Sequence, residues 1–138
     1  MDLVIDASVA AAWFFPDESD EYADAILSRL RGGTTTAAAP AIWPSEVVNS
    51  FLVAERRGRT SEAKTARYVA DLADLPVAVE VGGVALMGAQ VLGLAREHRL
   101  SIYDASYLEL AARVGLPLAT IDARLKKAAE AIGLTIAE

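Results

Sequence analysis

Two aspartates in the stretch SIYDASYLELAARVGLPLATID, residues 101–122, stand where a solvated acid has no reason to be. Asp104 lies at the opening of an expected helix with Tyr107, Leu108 and Ala111 at i+3, i+4 and i+7, which puts its side chain on the apolar face. Asp122 closes the apolar run Leu118-Ala119-Thr120-Ile121, which reads as a buried strand. A carboxylate on a buried face is costly unless it is paired, protonated or bound to a metal. Two further acids share that position. Asp6 ends the apolar run Leu3-Val4-Ile5. Glu46 shares a helical row with Ile42 and Val53, while Val47, Val48, Phe51 and Leu52 cover most of the opposite side. That helix is apolar nearly all round, so it is expected to be buried, with Glu46 and Asn49 as its polar exceptions.

Asp6, Glu46, Asp104 and Asp122 are therefore the candidate catalytic and metal-binding set. Like charges at close range raise one another's pKa and destabilise a fold unless a cation joins them. An all-oxygen donor set suits Mg²⁺, with Mn²⁺ as the alternative. Such a centre activates water and offsets charge on a phosphoryl oxygen, which points to phosphodiester hydrolysis. Each acid also has a plainer reading. Ser101-x-x-Asp104 fits a capping box, Asp122 fits a helix N-cap, Asp6 an ordinary strand-end acid, and Glu46 a core partner of an arginine. Each plain reading needs its own partner; the joint one needs a single ion.

The elements that carry these acids alternate. Leu3–Ile5 reads as a strand, with Ser8 able to cap a segment from Val9 to Phe15 that Pro16 stops. Helices are expected over about Ser19–Leu30, Trp43–Arg57 and Ser61–Leu75, with Pro44 in a first turn and glycines or Pro76 at the exits. Strands are expected at Thr34–Ala38, Val77–Val81, Leu118–Ile121 and Leu134–Ile136, and further helices at Val84–Arg99, around Asp104, and at Ala123–Ile132. Alternation of this kind predicts an α/β chain with a mostly parallel sheet and helices on both faces, organised as one domain over residues 1–138. Ligands in such folds bind beyond the carboxyl ends of the strands, where Asp6 and Asp122 fall.

Composition narrows the function classes. With no cysteine there is neither a disulfide framework nor a thiolate site, and the single histidine, His98, excludes a poly-histidine zinc centre. No apolar run is long enough for a membrane span, and MDLVIDAS has no basic region ahead of its apolar stretch, so it does not read as a signal peptide. A cytoplasmic protein is expected. A net charge of −6 argues against broad attraction to nucleic acid, though an acidic, cation-carrying centre still faces phosphates. Arg56, Arg57, Arg59, Lys64 and Arg67 form a basic block that reads as a solvated face, and Asp17, Glu18, Asp20, Glu21 and Asp24 form a separate acidic one. Trp13, Phe14 and Phe15 read as core or interface, and His98 as an edge-of-core residue.

With LVIDAS, PAIWPSEVVNSF, YDASYLELA and LATIDARL in this order, the chain resembles a PIN-domain ribonuclease, in particular a VapC-like toxin of a type II toxin–antitoxin pair. The resemblance spans essentially the whole chain. It implies a PIN-like three-layer α/β/α fold with a sheet of about four or five strands. It implies an acidic quartet at Asp6, Glu46, Asp104 and Asp122 holding Mg²⁺ or Mn²⁺, with Ser8, Asn49 and Thr120 at supporting positions. It also implies endonucleolytic cleavage of RNA by metal-activated water, a homodimer, and a VapB-like antitoxin that blocks the site. Two other readings compete: a different acidic-site phosphohydrolase, and a PIN-like binding module in which Trp13-Phe14-Phe15 and Tyr22-Ile26 form a groove for an antitoxin helix.

Overall fold

The computed structural model describes all residues 1–138. Four strands, β1 (Leu3–Ile5), β2 (Ala37–Ala39), β3 (Val77–Val79) and β4 (Leu118–Ala119), form one parallel sheet in the order β3-β2-β1-β4. Every residue of β1, β2 and β4 is buried. Successive side chains point to opposite faces, so full burial means that both faces are covered, as parallel sheets require. β3 is an edge strand and largely exposed. The sequence runs outward from β1 to β2 to β3 and then returns to place β4 on the other side of β1. The carboxyl ends of β1 and β4 therefore flank the point where strand order reverses.

Seven α-helices fill the connections: α1 (Ala7–Phe14), α2 (Glu21–Arg31), α3 (Trp43–Arg56), α4 (Glu62–Ala73), α5 (Ala89–His98), α6 (Ile102–Val114) and α7 (Ala123–Ala131). α1 packs on α2 and α3, and α3 on α4; α5 packs on α6, and α6 on α7, β1 and β4. None is long and apolar enough to cross a membrane. An aromatic cluster locks the first group. Phe51 of α3 lies 5.1 Å from Phe14 of α1, 5.6 Å from Tyr68 of α4 and 6.1 Å from Phe15, between ring centroids. This cluster sets α1, which follows Asp6, against α3, which carries Glu46.

Several sequence expectations are corrected. Phe14, Phe15 and Ile26 are buried in the main core, and the Trp13 indole donates to the Ala23 carbonyl at 2.8 Å, so these residues pack inward and do not line a groove for a partner helix. α3 is amphipathic, not enclosed: Trp43, Val47, Phe51 and Ala54 face the core, while Ser45, Asn49 and Leu52 are exposed. β2 begins later than expected, because Thr34 closes the exit of α2 and Thr36 is held by the Asp2 carboxylate at 2.8 Å. The apolar stripe Val84–Arg99 is two elements, a 3₁₀ turn (Val84–Met87) and α5, separated at Gly88 with ψ −149. Leu134–Ile136 contributes a single parallel bridge, Leu118 to Ile136, in place of a fifth strand. Ser8 lies inside α1, and Asp6 holds the N-cap position instead.

The acidic and basic blocks are also less separate than their sequence positions suggest. Arg59 leaves the basic block to pair with Asp17 at 2.7 Å and lies 5.1 Å over the Phe15 ring. Arg56 and Arg57 remain exposed. Because Phe51 joins three elements at full burial, Phe51→Ala is expected to cost ~3–5 kcal/mol in urea unfolding. A loss near ~1 kcal/mol would show that the cluster closes over the gap.

Candidate active site

Asp6 is the first residue beyond β1, and its amide donates to the Ala119 carbonyl of β4 at 3.0 Å. It is only 4% exposed. Two hydroxyls satisfy it: Ser8 Oγ donates to Oδ2 at 2.6 Å, and Thr120 Oγ1 donates to the same oxygen at 2.8 Å. Neither reaches Oδ1. Thr120 follows β4 directly, so its hydrogen bond spans the reversal point of the sheet. Burial pushes the Asp6 carboxyl above its ordinary range, the two hydroxyls pull it back, and the Asp104 charge pushes it further up.

Glu46 stands in the first turn of α3, where Pro44 occupies a position whose missing N–H costs little. Its Oε1 accepts the Tyr107 hydroxyl at 2.9 Å. Tyr107 is wholly buried on α6, three residues after Asp104, and its phenol is driven far above its usual range by burial and by the Glu46 and Asp6 charges. The Glu46 carboxyl is also raised, by burial first and then by Asp6 and Asp104, against the pull of the Tyr107 hydrogen bond. Helical spacing alone marks Tyr107 as an apolar neighbour of Asp104. The missed signal is that a tyrosine on a fully buried helix face must find a partner for its hydroxyl.

Asp104 is half-buried in the first turn of α6, whose N-cap is Ser101: the Ser101 hydroxyl accepts the Asp104 amide at 3.0 Å. Ser101 thus does the capping, which frees the Asp104 carboxylate for the cluster. That carboxyl is raised by burial and by Asp122, with Ser101 and Arg124 pulling the other way. Asp122 caps α7 through Oδ1, which accepts from Arg124 N at 2.9 Å and Leu125 N at 3.2 Å. Its plain reading as a cap and its membership of the cluster hold together, because the cap uses one oxygen. Asn49 is exposed one turn beyond Glu46, in a shallow depression with Ile42, Ser45 and Tyr103. Arg124, unremarked in the sequence, is the cation nearest in effect to Asp104, and it is also bonded to the Arg99 carbonyl at 2.9 Å.

The four acids thus form one electrostatic chain, Glu46 with Asp6 and Asp104, and Asp104 with Asp122. No arginine pairs with Glu46, which excludes the core ion pair as its explanation. As they stand, no three of these side chains converge to chelating distance. Their chemistry nonetheless fits a hard divalent cation. The donors are all oxygen, no cation offsets Asp6 or Glu46, and Asp6, Glu46 and Asp122 each have one oxygen fixed by the protein and one outside those bonds.

The PIN domain family model matches residues 3–131. Ribonuclease VapC3 of Pyrobaculum aerophilum is 32% identical over 125 residues, covering 91% of this chain and 92% of the relative. The chain belongs to the PIN-domain family and, within it, to the VapC proteins. Two solved structures share the fold. PAE2754 from Pyrobaculum aerophilum superposes with a TM-score of 0.69 at 24% identity, over 93% of this chain and 79% of that one. Mycobacterium tuberculosis VapC20, described as a sarcin-ricin loop cleaving toxin, superposes with a TM-score of 0.68 at 16% identity, over 99% of each chain.

Two predictions follow from this PIN-domain geometry. Tyr107→Phe leaves Glu46 Oε1 without its donor and is expected to cost ~1–2 kcal/mol in urea unfolding. Calorimetry should also show Mn²⁺ binding weakened by ~10-fold, as losing an outer partner of a ligand does. The second concerns pH. Asp6, Glu46 and Asp104 titrate above their ordinary values of 3.8, 4.5 and 3.8 in the folded chain. Between the ordinary and raised values the folded state holds protons that the unfolded chain has shed, so stability falls as pH rises through that window. In chelator, Asp104→Asn should therefore melt above the wild type at neutral pH, with the gap closing towards pH ~4. A variant that melts below the wild type at neutral pH would contradict the raised carboxyl.

Proposed function

We propose that this protein is the toxin of a toxin–antitoxin pair and a divalent-metal-dependent endoribonuclease that hydrolyses RNA phosphodiester bonds. The observation that carries the reading is the buried Asp6 at the strand reversal, held through one oxygen and coupled to Glu46 and Asp104 without a cationic partner. The similarity to Ribonuclease VapC3 supports it.

Asp6 and Asp104 are the direct ligands in this reading, and Glu46 and Asp122 complete the set. Bound Mg²⁺ or Mn²⁺ supplies positive charge against the scissile phosphate and makes the attacking water more acidic. The chain's residues do the rest. Ser8 and Thr120 fix the Asp6 carboxylate through Oδ2. Tyr107 fixes Glu46 through Oε1 and leaves its second oxygen to the ligand set. Asp122, tied to α7 through Oδ1, offers its second oxygen. The acids themselves would repel RNA, so the ion is as necessary for binding the phosphate as for cleaving it.

The same reading makes the partners an RNA substrate, a VapB-like antitoxin that blocks the acidic site, and a second copy in a homodimer. It places the protein in the cytoplasm. An aspartyl-phosphate phosphatase would call for a cation beside its nucleophile, and none bears on Asp6.

The test is cleavage of structured RNAs by purified protein with Mg²⁺ or Mn²⁺, against EDTA. Site-specific cutting is expected only with metal. Asp6→Asn should lower it by more than the ~10–100-fold typical of an outer-sphere loss while circular dichroism stays native. Full activity in a clean Asp6→Asn preparation would sink the assignment.

A further inference from the structure

A cavity of about 330 Å³ lies between the β3–α5 connection and α6, outside the acidic cluster. Its walls are mostly apolar, with Met87, Val91 and Ile102 among them. Its only charged lining groups are two carboxylates, Glu80 and Glu109. Both are paired with the Arg113 guanidinium from outside the lining, Glu80 through Oε1 at 2.6 Å and Glu109 through both oxygens at 2.7 Å and 3.2 Å. A phosphate or an acidic side chain would meet acceptors and no cation there. A flat group with apolar faces would find there what it needs to bury, and Glu80, with one oxygen outside the Arg113 bond, is the acceptor for a donor on its edge.

Two residues join this cavity to the depression that holds Glu46: Ile42 and Tyr103 line both. Tyr103 immediately precedes Asp104, and its side chain is 56% exposed although it is large and aromatic. An exposed ring that lines both the apolar cavity and the depression holding Glu46 offers its face to the nucleotide next to a phosphate held at the acids. The net charge of −6 leaves little general attraction for the backbone, so contacts to bases must carry much of the binding.

We propose that this cavity takes one unpaired nucleobase flanking the scissile phosphate, with Tyr103 as its stacking face. The inference rests on the nuclease reading and adds a substrate requirement to it. A base can enter only when it is unstacked, and one with an amino or imino donor facing Glu80 is preferred.

The experiment uses full-length protein with Mn²⁺ and end-labelled single-stranded RNA of mixed sequence, followed by an abasic scan around the mapped cut. Tyr103→Ala should raise KM by about 10–100-fold with kcat little changed, Tyr103→Phe should restore it, and one abasic position beside the cut should reproduce the loss. If wild-type protein cuts and Tyr103→Ala cuts equally well, or if every flanking abasic position is tolerated, the base site is wrong and the nuclease reading survives. If Tyr103→Phe fails as Tyr103→Ala does, stacking is not the role and the proposal falls. If Tyr103→Ala alters only self-association in sedimentation, the cavity serves a protein contact and the proposal falls. If no RNA is cut under any metal condition, the nuclease reading fails and the base site with it.

Discussion

A hydrogen bond between Thr120 and Asp6, 2.8 Å long and joining residues 114 apart in sequence, is the contact on which this PIN-domain architecture turns. Parallel strands need long crossovers, so nearly the whole chain lies between β1 and β4 before they meet. Where they meet, strand order reverses and a crevice opens at their carboxyl ends. A carboxylate placed there is buried, and burial without donors would expel it or protonate it. Thr120 and Ser8 keep it in place at the cost of one oxygen. Glu46 then arrives on the crossover from β2 to β3, Asp104 on the crossover from β3 to β4, and Asp122 just beyond β4 at the start of α7.

The helix packing explains why those arrivals are accurate. Glu46 is fixed twice: by the aromatic cluster that seats α3 on α1, and by the Tyr107 hydroxyl reaching from α6. Asp104 is relieved of capping by Ser101, and Asp122 caps with one oxygen only. Hydrogen bonds here orient carboxylates without neutralising them. The result is that the Asp6, Glu46 and Asp104 carboxyls are raised, with no internal counter-charge at Asp6 or Glu46, which is unfavourable for the fold alone and favourable for holding a cation.

Much of this was legible in the sequence because buried parallel strands read as short apolar runs, and an acid that ends such a run is conspicuous. Asp6 and Asp122 stood out for that reason, and Glu46 and Asp104 through helical spacing. What failed to read depended on contacts between distant segments. The Val84–Arg99 stripe looked continuous because periodicity does not register the backbone turn at Gly88, and Val84 proves 90% exposed. Leu134–Ile136 has strand composition, yet only Ile136 pairs, so composition set its tendency and the β4 edge set its extent. β2 is three alanines, poor strand formers individually, chosen by what must pack across them. Trp13-Phe14-Phe15 does read correctly as core, with Phe51 of α3 and Tyr68 of α4 packed on Phe14.

The missed role of Tyr107 shows where sequence reasoning about sites must go beyond listing acids. Its ring fills the core, as periodicity suggests, while its hydroxyl reaches the cluster. Tyr103, four residues earlier and thus about one helical turn away, is exposed at the mouth of the apolar cavity. Asp104 lies between the two. One turn of α6 therefore presents a positioning group inward, a carboxylate into the crevice and an aromatic face outward. Displacing that turn would disturb all three together, which makes the Ser101 cap at its start a constraint on the site as much as on the helix.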